Sequence, residues 1–120
     1  MADPLPASQS FAFRGVKLNL PWNSYRVHPS LTRHGRIMQR PEFWDRLLGF
    51  LGGCGFNALT LWSIHPWSLM VRPVEWPDAC AFDDAELDRW QQLWHHIFRT
   101  GVENGIEIIP MCFNIFVSPE

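Results

Sequence analysis

Six side chains in this 120-residue sequence have the types that a ligand-binding cleft combines. Trp22 and Trp62 offer aromatic faces that pack on apolar surfaces, and Lys17, Asn19, His65 and Asn114 offer hydrogen-bonding groups that fix an orientation. The chain is rich in such rings: seven Trp and nine Phe require either a well-built core or a surface that uses them. Each candidate also has a structural reading. Trp22 and Trp62 suit a core as well as a platform, Asn114 suits a turn, and His65 before Pro66 suits a hydrogen-bonded structural histidine. Lys17 is the sharper case, because a lysine is seldom buried without a partner. It takes either a functional or ion-paired place inside, or an exposed place at a frayed sheet edge.

Other clusters carry less. Arg26, His28, Arg33, His34, Arg36 and Arg40 crowd one stretch; a guanidinium fork there would grip a carboxylate, and a solvated loop explains the same residues. His95 and His96 are adjacent on a helical pattern, so they diverge by about 100° and do not chelate. Asp83, Asp84, Glu86 and Asp88, like Glu42, fit helix starts better than acid–base chemistry, and nothing selects Glu75 as a ligand. Cys54, Cys80 and Cys112 are odd in number and lack a Cys-x-x-Cys, which fits neither a disulfide framework nor a metal clip. They read as separate thiols, with Cys54 and Cys112 inside. The chain contains no Gly-x-Gly-x-x-Gly, phosphate loop, Gly-x-Ser-x-Gly or His-Glu-x-x-His. No metal and no cofactor is therefore expected.

Three extended runs must position the candidates. Residues 13–20 alternate, with Val16, Leu18 and Leu20 on one face and Gly15, Lys17 and Asn19 on the other, until Pro21 stops them. If the aliphatic face packs on helices, Lys17 and Asn19 point into the barrel, where a polar group must be paired. Residues 58–62 form the second run, ahead of Pro66. Residues 106–113 form the third, in which Pro110 demands a bulge or a strand free on the side where its N–H would point. Two helices separate these strands. The first opens at Pro41 with Glu42 and carries Phe43, Leu47, Leu48, Phe50 and Leu51 up to Gly52-Gly53. The second opens with Asp83 and Glu86 in capping-box spacing, carries Leu87, Trp90, Leu93, Trp94, Ile97 and Phe98, and closes at Asn104-Gly105, with Gly101 loosening its last turn.

The order strand, helix, strand, helix, strand predicts an α/β fold with parallel strands and two crossover helices. Strand starts near 13, 58 and 106 match the wide spacing of a (β/α)8 (TIM) barrel. The long loops, 21–40 and 63–82, follow strands, which is where such folds gather binding sites. Trp22, Trp62, His65 and Asn114 would then share one rim.

These stretches resemble a known group. Gly55-Phe56-Asn57 before an apolar strand, and Gly105-Ile106-Glu107-Ile108-Ile109-Pro110 after a helix, resemble the first half of (β/α)8-barrel glycoside hydrolases. Leu61-Trp62-Ser63-Ile64-His65-Pro66-Trp67 and Phe113-Asn114-Ile115-Phe116-Val117 look like a bacterial polysaccharide-degrading set, loosely akin to α-glucuronidase and hexosaminidase barrels. The resemblance covers residues 11–120 through short motifs that are largely fold-driven. It implies an oligo- or polysaccharide substrate and two catalytic carboxylates at the ends of later strands.

A full barrel needs eight strands and ~250 residues. The expectation is thus the amino-terminal portion of such a catalytic domain over 11–120, supplying rim residues and inactive alone. Residues 1–10 form a flexible lead without a signal sequence, with a cytoplasmic location by default. The alternative is a non-catalytic carbohydrate-binding or assembly module completed by a partner chain, with self-association through open sheet edges. A barrel acting on another substrate class is the third reading. A net charge of −2 argues against nucleic acid or an anionic membrane as partner, and no run approaches the roughly 18 apolar residues of a membrane span.

Overall fold

The computed structural model describes residues 11–22, 28–64 and 66–112. The lead at 1–10, His65, Asn114 and the Phe113–Val117 motif lie outside the described residues. Three strands, β1 (Gly15–Asn19), β2 (Ala58–Ser63) and β3 (Glu107–Cys112), form one sheet in the order β1-β2-β3. Both pairings are parallel, with Asn19 opposite Trp62 and Leu61 opposite Pro110. The expected α/β arrangement of parallel strands is what forms.

The connections are helical. After β1 come α1 (Pro29–Met38) and α2 (Pro41–Gly53); α3 (Asp84–Glu103) links β2 to β3. Sequence reasoning took 21–40 as loop, and α1 corrects it. Its cap is unconventional: the His28 Nδ1 accepts from the Ser30 backbone N–H at 3.2 Å, with Pro29 at the first turn. Only Gly35 and Met38 of α1 are buried, so no apolar stripe announced it. The α3 start is as expected, the Asp83 carboxylate accepting from the Glu86 N–H at 2.7 Å. Gly55 and Gly105 follow the α2 and α3 termini with φ of 82° and 67°, the left-handed region that glycine enters at no steric cost.

One face of the sheet carries the core. Leu59, Leu61, Leu48, Trp44, Ile97, Trp94 and Ile106 pack between sheet and helices, with Val16, Leu18 and Ile108 partly buried against them. Phe50, expected on the inner stripe of α2, is exposed. Cys54, expected inside, is exposed at the end of α2, Cys80 is buried with its thiol 3.8 Å from the Ser68 carbonyl, and the Cys112 side chain lies outside the described residues. Gly101 is a packing contact rather than a weak turn. A Cβ there would lie 2.7 Å from Ile108 Cγ1 and 2.9 Å from the Ile106 carbonyl, so α3 meets β3 through a bare backbone.

Pro110 fits its strand for a simple reason. The Glu107 N–H donates to the Asn57 carbonyl on the β2 side. Alternation turns Ile108 and Pro110 the other way, and the missing donor faces the outer edge of β3.

Candidate functional site

The first residues to place are those that tie the strands together. Asn57 donates from Nδ2 to the Ala12 carbonyl at 2.7 Å and accepts the Arg14 N–H at Oδ1, 2.8 Å away. This clamps the entry to β1 beside the entry to β2 and fixes the register that brings Lys17 next to Thr60 and Asn19 next to Trp62. The Gly55-Phe56-Asn57 motif is thus a fold device.

Beyond that clamp the strands diverge into two faces. Val16 and Leu18 turn toward the helices, and Lys17 and Asn19 lie exposed on the opposite face of the sheet. Thr60 and Trp62 share that face by register and alternation. Lys17 is neither buried nor ion-paired among the described residues. Its Nζ lies 4.0 Å from the centre of the Trp62 ring, a cation–π contact. The Trp62 indole is itself held: Nε1–H donates to Thr60 Oγ1 at 3.2 Å, and that hydroxyl donates to the Val16 carbonyl at 3.4 Å.

A cavity of about 540 Å³ opens at the carboxyl ends of β1 and β2. Lys17, Asn19 and Trp62 line its strand side, His34 and Ile37 of α1 and Phe43 of α2 its far wall. The volume is that of a small-molecule pocket, and the lining has the mixture such pockets use: apolar walls with a few polar groups. Four of the six sequence-derived candidates, Lys17, Asn19, Trp22 and Trp62, border it.

Trp22 borders it from within the core. It is 5% exposed, and its ring meets Trp90, Trp94 and Trp44 with centroids 4.9, 6.0 and 6.2 Å away, while Nε1–H donates to the Gly35 carbonyl at 3.1 Å. Its role is to bind α1 and α3 to the end of β1. A ring so enclosed has no open face for a ligand: indoles of α2 and α3 pack around it, and the Gly35 carbonyl of α1 takes its N–H.

The basic stretch is likewise reorganised by α1. Arg33 and Arg36 are exposed on the helix, His28 is engaged in its cap, and His34 alone among the described members lines the cavity. His95 and His96 do diverge: His95 is exposed, and His96 Nε2 lies 2.7 Å from Asp45 Oδ1, joining α3 to α2. No group of three metal-ligating side chains comes together among the described residues.

Two aromatic residues escaped sequence reasoning. Trp67 and Trp76 are 55% and 68% exposed on the segment between β2 and α3. That segment is held rather than loose. Gln91 of α3 donates to the Met70 carbonyl at 2.7 Å, and Arg72 bonds both the Asp84 carboxylate and the Phe82 carbonyl. The hydrogen bond to Asp84 raises the Arg72 pKa further, so the guanidinium stays charged at any physiological pH. The available signal was proline: Pro66-Trp67 and Trp76-Pro77 put these rings where the chain turns.

No family model matches the chain, and no curated protein matches it. Among solved structures it is similar to a GH138 enzyme targeting pectin rhamnogalacturonan II, with a TM-score of 0.72 and 23% identity over 88% of this chain and 13% of that one. The chain thus spans about an eighth of that enzyme's length, and at this identity the likeness is one of fold: three parallel strands with their helices recur as part of a much larger protein.

Proposed function

We propose that this chain forms the first strands of a (β/α)8 barrel in a carbohydrate-active hydrolase and contributes part of its substrate-binding rim. The observation that carries the reading is the cavity at the strand carboxyl ends, where Trp62, Lys17 and Asn19 converge beside His34. An aromatic face flanked by hydrogen-bonding side chains suits a sugar ring, whose two sides are apolar C–H and polar hydroxyl. The fold shared with a pectin-targeting enzyme points the same way and suggests pectic saccharides as the first ligands to try.

Hydrolysis would need two carboxylates flanking the scissile bond. Among the described residues no carboxylate lines the cavity; the catalytic pair is expected at the ends of later strands, and the 120-residue chain is expected to bind without cleaving. Calorimetric titration with pectin oligosaccharides tests this. Saturable binding that weakens about tenfold, or about 1.4 kcal/mol, in Trp62→Ala supports the reading. Equal affinity in wild type and Trp62→Ala, or turnover by the isolated chain, refutes it.

A second reading has its own observation. β1 and β3 each have one side unpaired among the described residues, and Lys17, Asn19 and Met111 lie exposed on the open face. A module whose sheet is completed by another chain would look the same, and its test is the oligomeric state.

A further inference from the structure

We propose that Lys17 is a displaceable cover on the Trp62 ring, so that a saccharide reaches that face only by expelling the ammonium; the inference rests on the carbohydrate reading above. Lys17 Nζ stands 4.0 Å over the ring centre and occupies the space a stacked sugar would take. The ring cannot turn aside to admit both, because its Nε1–H is fixed on Thr60 Oγ1, itself tied to the Val16 carbonyl. Lysine is the partner that moves. Its side chain is exposed, no carboxylate holds it among the described residues, and its four-carbon stem has many rotamers.

The arrangement makes Lys17 a specificity-determining residue. A weakly stacking compound does not repay the lost cation–π contact. A sugar that stacks well and also offers an oxygen to the displaced ammonium, with its three donors, does. The cover therefore discriminates between apolar ligands, which only stack, and saccharides, which can do both.

Fluorine NMR on the 120-residue chain made with 5-fluorotryptophan reads this directly, the Trp62 signal being assigned through Trp62→Phe. In the free protein, Lys17→Ala is expected to shift the Trp62 signal, while Lys17→Arg, which keeps a cation over the ring, leaves it near its wild-type position. With toluene as a probe that stacks without accepting hydrogen bonds, Lys17→Ala should bind about two- to fivefold tighter than wild type, the worth of an exposed cation–π contact. With pectin oligosaccharides the gain should be smaller or reversed. A Trp62 signal unmoved by Lys17→Ala, or toluene affinity no tighter in that variant, overturns the cover. Failure of wild type and both variants to bind the oligosaccharides overturns the carbohydrate reading instead, and the free-protein signal still decides whether Lys17 lies on the ring.

Discussion

At the scale of single residues, the two tryptophans that looked alike in the sequence separate cleanly. Trp22 is enclosed by three other indoles, whereas Trp62 is half-buried and borders the cavity. Truncating Trp22 to alanine should cost about 3–5 kcal/mol, as for other buried aromatic deletions, a large share of the stability of a small domain. Trp62→Ala should cost clearly less; urea denaturation of both variants checks the difference. Asn57 offers a sharper case. Losing its side chain leaves the Arg14 N–H and Ala12 carbonyl without that partner, so Asn57→Ala is expected to destabilise by about 1–3 kcal/mol in the same assay. The alternation of β1 was enough to read the facing of Lys17 from the sequence. The burial of Trp22 was not, because it depends on tertiary contacts with α1, α2 and α3 together.

Elements were legible in proportion to their apolar pattern and caps. In α3 an Asp83 cap, a stripe from Leu87 to Ile97 and a terminal Asn104-Gly105 all agree, and the helix forms where they place it. In α1 a histidine cap and a basic, sparsely apolar sequence gave no comparable signal, and its stability comes from Gly35 and Met38 docking against Trp22 and Trp44. The Trp44 Nε1–H donates to the Met38 carbonyl at 2.7 Å, closing the end of α1 onto α2. Where α3 crosses β3, Gly101 has no room for a methyl group. Gly101→Ala gains helix propensity of about 1 kcal/mol yet must displace Ile108 and the Ile106 carbonyl, an overpacking that costs about 1–3 kcal/mol. The net expectation is a lower thermal midpoint by calorimetry. Gly53→Ala, at a helical glycine with open space around it, should not lower it.

At the scale of the whole molecule, sequence order fixed parallel strands and helical crossovers, because few topologies accommodate strands separated by long helices. It could not fix what stands beside β1 and β3, since closure of a sheet depends on further strands and not on these three. The sides of β1 and β3 that are unpaired among the described residues predict concentration-dependent association of the isolated chain. Light scattering should show mass rising above 14.0 kDa with concentration, and a monomer at every concentration would count against the assembly reading. Adding charge to the exposed face, as in Met111→Lys, should lower that tendency.

The two borders of the sheet are chemically unequal. The Leu20 N–H and Arg14 carbonyl point toward β2, so among the described residues alternation leaves Gly15, Lys17 and Asn19 offering an unbroken row of donors and acceptors outward. On the far side Pro110 interrupts that row, and a newcomer strand there would find a gap where a donor should be. If another chain completes the sheet, its strand should add beside Lys17 first, with the proline acting as a brake on indefinite stacking.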